Sequence, residues 1–199
     1  MKQGRLIVLS GPSGVGKGTI LREVMQRRRE LCYSVSATTR PIRPGEVEGK
    51  SYYFIDREAF ERMIACDELL EYATYAGNYY GTPVKAVEDA LANGKSVVLE
   101  IEVQGALQIM QSRPDALTIF VAPPSFSSLQ ERLQRRGDTA PAIAAKRLKI
   151  ALEECRLSAH YQYIIVNDTV THAAQELEAI LTAEACRTEF RKISLKEDV

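Results

Sequence analysis

The sequence lacks an excess of charge of either sign, since 26 lysine and arginine residues are balanced by 26 aspartate and glutamate residues. A zero balance argues against a protein that coats nucleic acid or lies on a membrane surface, so any basic binding site must be local. The sequence also lacks an apolar run of about 18 residues, the length that a membrane-spanning helix needs. We therefore predict neither a nucleic-acid partner nor a membrane partner, and the residues leave the oligomeric state open.

Cysteines are few and widely separated. Cys32, Cys66, Cys155 and Cys186 show no CxxC spacing, which argues against a zinc site and a disulfide framework and predicts buried, reduced thiols. The segment Met1–Arg5 runs directly into an apolar stretch, so we expect no signal peptide and a cytoplasmic protein. Repeats and low-complexity tracts are also missing, and 199 residues suit one substantial domain with inserted subdomains.

Four short, almost wholly apolar runs predict the strands of a parallel sheet. These runs are Leu6–Ser10, Ser96–Ile101, Leu117–Val121 and Tyr163–Val166. Continuous apolar strands are typical of sheets that are covered by helices on both faces. Helix-like stretches lie between the runs, at Ile20–Gln26, Pro83–Leu91 and Ala173–Phe190. The alternation predicts a doubly wound α/β fold, a parallel sheet flanked by helices.

Two segments interrupt this alternation. Residues 34–82 are rich in Tyr, Arg, Thr and Gly, with a β-like piece at Tyr52–Ile55, and predict an inserted subdomain of mixed α and β structure. Residues 125–158 are basic and bend at Gly137–Pro141. They predict a helical hairpin, either an ordinary solvated one or a lid over the core. The core would then comprise residues 1–33, 83–124 and 159–199.

Residues 11–19 have the composition of a phosphate-binding loop between a strand and a helix. They are Gly11, Pro12, Ser13, Gly14, Val15, Gly16, Lys17, Gly18 and Thr19. Glycines let backbone N–H groups turn towards an anion, the helix N-terminus adds partial positive charge, and the lysine can reach the β- and γ-phosphates of a nucleotide. The strict pattern has Ser or Thr after the lysine, so the hydroxyl that commonly contacts Mg²⁺ is missing or displaced by one residue.

A second anion site is indicated in residues 36–45, where Arg40 and Arg43 lie three residues apart on a proline-stiffened segment. Arginine binds oxyanions through two N–H groups at once, which suits a second phosphate. The same insertion holds Glu71 and the tyrosine-rich segment Gly77–Thr82. Singly, such arginines are as often surface charges and such tyrosines core residues, but together they favour a second anionic ligand.

With these motifs the chain resembles the guanylate kinases, P-loop enzymes that move a phosphoryl group from ATP to GMP. The matching segments occur in the family's order over nearly the whole chain, at Gly11–Thr19, Ser36–Glu46, Gly77–Thr82, Glu100–Gly105, Arg136–Gly137 and Ile165–Asp168. Thr-Thr-Arg-x-x-Arg-x-Gly-Glu and Gly-Asn-Tyr-Tyr-Gly are the specific motifs. The resemblance implies a P-loop kinase fold with a GMP-binding subdomain at 34–82 and a helical lid region at 125–158.

The resemblance also implies how GMP is bound. The residues implied are Ser36, Arg40, Arg43, Tyr52, Glu71, Tyr80, Thr82 and Glu102. Arg40 and Arg43 would clamp the phosphate, while Glu71 would read the base. Guanine presents N1–H and N2–H₂ side by side to a carboxylate, whereas adenine would leave a buried carboxylate unpaired.

On the ATP side, the resemblance implies contacts from residues 11–19 and from Asn167 and Asp168. The catalytic groups implied are Lys17, Arg40, Arg43, Arg136 and Arg147. Mg²⁺ would be bound with ATP, largely by ATP oxygens and water, with Thr19 and Glu100 as outer partners and no direct protein ligand assigned. The family often has Asp where this chain has the longer Glu100 and Glu102.

The expected reaction is transfer of the γ-phosphoryl group of ATP to GMP, and to dGMP, giving ADP and GDP in purine nucleotide metabolism. Two alternatives remain open from the residues. A kinase for another small acceptor on the same scaffold is disfavoured by Glu71, which makes sense for guanine. A non-catalytic guanylate-kinase-like binding module is disfavoured by Lys17, by the loop glycines and by the lid arginines.

Overall fold

The computed structural model describes residues 4–75, 77–135 and 141–191, without the side chains within 134–146. In chain order the strands are β1 (Leu6–Ser10), β2 (Leu31–Tyr33), β3 (Ala37–Thr38), β4 (Tyr53–Phe54), β5 (Leu69–Tyr75), β6 (Asn78–Pro83), β7 (Ser96–Glu100), β8 (Leu117–Ala122) and β9 (Tyr163–Val166). The α-helices are α1 (Lys17–Arg27), α2 (Arg57–Ala65), α3 (Val84–Ala92), α4 (Val103–Ser112), α5 (Phe126–Arg135), α6 (Pro141–Arg156) and α7 (Val170–Ala185), and a 3-10 turn covers Leu157–His160.

The first sheet is parallel throughout, with strand order β2-β7-β1-β8-β9, which confirms the predicted doubly wound core. All four predicted strands are present with ends within one residue of expectation. The strand order reverses beside β1. In open α/β sheets, ligands bind at the carboxyl ends of the strands where such a reversal occurs.

Helices cover both faces of this sheet because successive side chains of each strand point in opposite directions. In β1, Ile7 and Leu9 belong to the hydrophobic cluster that packs against α1 and α7. Leu6 and Val8 belong to the cluster on the other face, which packs against α3 and α4. All four side chains are at most 3% exposed, which explains why the strand reads as a continuous apolar run.

The inserted segment forms a second, mixed sheet with strand order β4-β3-β6-β5. β3 pairs in parallel with β4, whereas β6 runs antiparallel to β3 and to β5. Helix α2 begins where the Asp56 carboxylate accepts a hydrogen bond from the Ala59 N–H at 2.7 Å, and Phe60 is its fully buried residue. The predicted β-like piece and the mixed character are confirmed. The proposed domain boundaries stay predictions.

Two details differ from expectation. Helix α7 begins at Val170, where the Thr169 hydroxyl accepts from the His172 N–H at 3.2 Å, and it ends at Ala185, five residues before the predicted end at Phe190. Phe190 instead packs under the Arg5 guanidinium, 4.7 Å from its ring centre. Within the three described ranges, each helix is too short or too polar to cross a bilayer.

All four cysteines carry free thiols, but none is fully buried as predicted, and two are exposed. Cys66 and Cys186 are exposed because each lies at the C-terminal end of a helix, α2 and α7 respectively. Cys32 and Cys155 are partly buried.

Candidate active site

The phosphate-binding loop leaves the carboxyl end of β1 and enters α1. Gly11 has a φ of 143°, and a Cβ there would overlap the carbonyl oxygen of Val121 on β8. Gly16 precedes α1 with a φ of 102°, in the left-handed region that favours glycine. The buried Lys17 opens the helix and donates from Nζ to the Gly11 carbonyl at 2.5 Å. The Lys17 side chain thus reaches across the loop from its last residues to its first.

One cavity separates this loop from the second sheet. The predicted site residues that line it are Pro12, Ser13, Gly14, Gly16, Lys17, Gly18, Thr19, Ser36, Arg40, Arg43, Tyr52, Glu71, Tyr80, Glu100, Glu102 and Arg147. They come from distant parts of the sequence, and the two sheets bring them together. Gly11, Val15 and Thr82 lie behind this lining and are buried.

At one end of the cavity, Glu71 of β5 faces Thr82 of β6 across an antiparallel pair. The Thr82 hydroxyl donates to Glu71 Oε1 at 2.6 Å, and Glu71 is 4% exposed. Burial raises the pKa of Glu71 to about 7, against the opposing effect of the Thr82 hydrogen bond, and the nearby Glu102 carboxylate adds to the rise. A Cβ on Gly105 of α4 would overlap Glu71 Oε2, so glycine there makes room for the carboxylate.

The two arginines differ in their surroundings. Arg40 is buried, and its guanidinium lies 5.4 Å from the ring centre of Tyr52. It donates to the Glu46 carboxylate at 2.8 and 3.0 Å. Arg43 is exposed to the cavity. Burial raises the pKa of Tyr52 to about 12, so its phenol stays protonated and able to donate.

Glu100 ends β7 directly beside the phosphate-binding loop. The Gly18 N–H donates to its carboxylate, and a Cβ on Gly18 would lie 3.0 and 3.1 Å from the two carboxylate oxygens. Burial raises the pKa of Glu100, while the Lys17 ammonium opposes the rise. Glu102 Oε2 is buried without a hydrogen-bond partner among the described residues.

Asn167 and Asp168 lie on the other side of the loop, in a second cavity that Gly14, Gly16 and Thr19 also line. Asn167 Nδ2 donates to the Val15 carbonyl at 2.7 Å. Arg132 of α5 donates to the same carbonyl at 3.1 Å and to the Asn167 carbonyl at 2.9 Å. The two cavities therefore share the loop as a common wall.

Some residues of the site were not identified from the sequence. They are Arg22, Glu46 and Tyr75 in the first cavity and Arg132 in the second. Glu46 lies inside a recognised motif, and Arg132 stands in a basic helix where solvent exposure was equally plausible. Arg147 of α6 lies over the Tyr75 ring, 5.9 Å from its centre. Arg136 falls outside the described residues.

Similarity to known proteins identifies the protein family of this chain. The guanylate kinase family model matches residues 3–184. The chain belongs to the guanylate kinase family. The guanylate kinase of Carboxydothermus hydrogenoformans is 52% identical over 184 residues, 92% of this chain and 90% of that protein. The guanylate kinase of a Nostoc species is 54% identical over 178 residues, 89% of each chain.

A solved guanylate kinase has the same architecture. The crystal structure of guanylate kinase from Anaplasma phagocytophilum has a TM-score of 0.80 and 37% identity to this family member, over 95% of this chain and 90% of that one. The agreement spans both sheets of the P-loop kinase fold, because the matched share covers nearly the whole chain.

Proposed function

We propose that the chain transfers the γ-phosphoryl group of ATP to GMP, and to dGMP, giving ADP and GDP in purine nucleotide metabolism. The observation that carries this proposal is a single cavity with the Lys17 loop on one wall and the buried Glu71–Thr82 pair on the other. Such a cavity can hold two phosphorylated ligands with one specific base. The cytoplasmic location expected from the sequence stays a prediction.

We assign GMP to the second sheet. Glu71, with Ser36 and Thr82, would accept and donate at the guanine edge, since a carboxylate matches two adjacent N–H donors. The GMP phosphate would be bound by Arg40 and Arg43 with the hydroxyls of Tyr52 and Tyr80. In this proposal residues 34–82 form the GMP-binding subdomain and residues 125–158 the lid.

The residues would act by alignment and electrostatics. The attacking atom is a phosphate oxygen of GMP that is already anionic, so no side chain has to remove a proton. Lys17 would leave the Gly11 carbonyl to bind a β- or γ-phosphate oxygen of ATP, and Arg147 would approach the transferred group from α6. The second sheet and α6 would exclude water, the competing acceptor.

The residues beside the loop fit a magnesium ion bound through ATP. Mg²⁺ neutralises phosphate charge when it is bound with the nucleotide. The space next to Gly18 is filled by the Glu100 carboxylate, and Glu102 Oε2 lacks a partner among the described residues. The described residues hold no cluster of three or more His, Cys, Asp or Glu side chains placed to bind a metal ion. We propose that Glu100 and Thr19 contact the ion through water, because Mg²⁺ retains several waters.

The test is an assay of ADP production with ATP and a panel of acceptors: GMP, dGMP, AMP, UMP, CMP and ribose phosphates. GMP should be turned over fastest. AMP turnover above that of GMP would indicate a different acceptor, and no ADP production with any acceptor would favour the non-catalytic binding module.

Replacing Lys17 with alanine should separate binding from chemistry. We expect kcat to fall by roughly 10²–10³-fold, because the cation that would bind the transferred phosphate is lost. The dissociation constant for GMP, measured by calorimetry, should change little. Lys85→Ala is the control, since its ammonium is exposed on α3 and pairs with Asp89 at 3.1 Å. Unchanged turnover in Lys17→Ala would exclude catalysis at this loop.

A further inference from the structure

Glu46 makes an unusually complete set of contacts within the proposed phosphate clamp. Its Oε1 accepts from Arg40 Nη2 at 2.8 Å, and its Oε2 accepts from Arg40 Nη1 at 3.0 Å. Oε2 also accepts from the backbone N–H of Arg43 at 2.8 Å. One carboxylate therefore joins the first arginine of the clamp to the backbone of the second.

Glu46 and Pro41 contact one end of the Arg40 guanidinium and leave its other edge to other partners. Nη1 donates to Glu46 and to the Pro41 carbonyl at 2.7 Å, which uses both of its hydrogens. The Nη1–Nη2 end is thus occupied by protein. Of the five N–H donors that arginine carries, Glu46 and Pro41 leave the Nε–H and the second hydrogen of Nη2, which form a fork of the kind that binds phosphate bidentately. The Tyr80 hydroxyl is a nearby acceptor for this fork.

The plane of that fork is fixed as well. The Arg40 guanidinium lies 5.4 Å from the ring centre of Tyr52 and 5.7 Å from that of Phe54. The side chain is 9% exposed, and the Tyr80 hydroxyl also hydrogen-bonds with it. An arginine held by a carboxylate and aromatic rings loses little further rotational freedom when a phosphate arrives.

We propose that Glu46 is the positioning residue of the GMP phosphate clamp, holding Arg40 by its terminal edge so that the Nε–Nη2 edge faces the phosphate. The proposal rests on the proposed function, because it takes GMP as the ligand. Glu46 also reduces the charge of the Arg40–Arg43 pair from two positive charges to one. Its negative charge alone would weaken phosphate binding, so its contribution must come through geometry.

The ionisation of Glu46 supports this role. Hydrogen bonds from the Arg40 guanidinium hold the pKa of Glu46 below its usual range, and the Arg43 backbone N–H adds to the effect. The carboxylate is therefore ionised at neutral pH, where both of its oxygens accept.

Glu48 provides a matched comparison in the same loop. Its Oε2 accepts from the Phe54 backbone N–H at 3.0 Å, and the residue is exposed. Glu48→Gln removes the same charge close to the same site and perturbs a backbone hydrogen bond of the same kind, while leaving the Arg40–Glu46 contact in place.

The experiment measures dissociation constants by calorimetry for GMP and for guanosine, which lacks the phosphate. We expect Glu46→Gln to weaken GMP binding by about tenfold and guanosine binding by less than twofold, because the amide turns an N–H₂ group towards an arginine N–H and releases the fork. Glu48→Gln should leave both constants near those of the unmodified protein. Glu46→Asp keeps the charge on a shorter side chain and should give a loss for GMP between these two.

The outcomes separate three cases. GMP binding that is unchanged or tighter in Glu46→Gln would overturn the proposal, since loss of the negative charge would then dominate. Equal weakening for GMP and guanosine, with a lower melting temperature, would show a structural turn only and would also overturn it. If Glu46→Gln does not fold, Glu46→Asp decides in the same way. Failure of the unmodified protein to bind GMP would instead overturn the proposed function.

Discussion

Glu71 is the residue that would select guanine over adenine in the proposed function. The carboxylate is 4% exposed and its hydrogen-bond partner among the described residues is Thr82, so burial still disfavours its charged form in the ligand-free protein. A ligand that brings two N–H donors supplies the hydrogen bonds that stabilise the charged carboxylate. A base without such donors leaves a buried charge unpaired, which is unfavourable by roughly 1–3 kcal/mol or more.

We expect the binding of guanosine to depend on pH through Glu71. Burial raises the pKa of this carboxyl to about 7, and in the proposed function the ionised form would accept from guanine. The ionised fraction falls about tenfold between pH 8 and pH 6, so affinity should weaken about tenfold as pH falls, and binding at pH 6 should release close to one proton. Calorimetry in buffers of different ionisation enthalpy measures both quantities, and guanosine avoids the titrating phosphate of GMP.

The control for this pH dependence is Glu71→Gln, whose amide does not titrate. Its affinity for guanosine should be lower and constant across the same pH range. A pH dependence equal to that of the unmodified protein would assign the titration to another group.

The Glu100 carboxylate limits the size of the side chain that fits at position 18. A Cβ at position 18 would lie 3.0 and 3.1 Å from the Glu100 oxygens, closer than ordinary van der Waals contact. We expect Gly18→Ser to lower the free energy of unfolding by about 1 kcal/mol more with Glu100 present than in a Glu100→Asp background, where the carboxylate is withdrawn by one methylene. Urea unfolding of the four ligand-free proteins measures this coupling, and strictly additive changes would contradict it.

At the scale of elements, Arg132 ties helix α5 to the phosphate-binding loop and to the segment after β9. Its guanidinium donates to the carbonyls of Val15 and Asn167, at 3.1 and 2.9 Å. The position of α5 and the shape of the loop are therefore linked through one partly buried side chain.

We expect Arg132→Gln to raise the KM for ATP severalfold and to leave the dissociation constant for GMP unchanged. The free energy of unfolding should fall by roughly 1–3 kcal/mol, because two charge-assisted hydrogen bonds to partly buried carbonyls are lost. Steady-state kinetics and urea unfolding provide the measurements. Arg156→Gln, at an exposed position on α6, is the control, and equal effects of the two variants would count against this link.

The longer strands of the first sheet and the phosphate-binding loop could be predicted because each has a recognisable local sequence pattern. β1 reads as a continuous apolar run because Leu6 and Ile7 are buried on opposite faces. β2 has three residues, of which Leu31 alone is buried, so no alternation of buried and exposed residues could be recognised. The roles of the site residues stay predictions, although the pairing of β5 with β6 brings Glu71 to Thr82, a contact that their spacing of 11 residues does not reveal.

At the scale of the whole molecule, helix α4 joins the two sheets. It packs on the first sheet through Val103, Ala106 and Ile109 and faces β5, an edge strand of the second. There the side-chain amide of Gln108 pairs with the backbone of Tyr72, as a neighbouring strand would. Its Nε2 donates to the Tyr72 carbonyl at 2.7 Å, and its Oε1 accepts from the Tyr72 N–H at 3.2 Å.

We expect Gln108→Ala to loosen the second sheet from the first. The Tyr72 amide should exchange its hydrogen faster, and guanosine binding should weaken severalfold because the neighbouring Glu71 loses its support. The unfolding free energy should fall by about 1 kcal/mol, since both hydrogen bonds are near the surface. Hydrogen exchange with residue resolution measures the effect. Gln104→Ala, exposed on the same helix, should leave the Tyr72 amide unchanged, and the inference fails if Gln108→Ala does the same.

The two exposed cysteines give this molecule a built-in pair of spectroscopic labelling positions. Cys66 follows α2 beside the second sheet, and Cys186 follows α7 on the first, so fluorescent donor and acceptor groups there would report the separation of the two sheets by energy transfer. Burial raises the pKa of the Cys155 thiol, which slows its reaction with maleimides at neutral pH. Any change in that separation during turnover would then be measurable in a chain that carries no substitution.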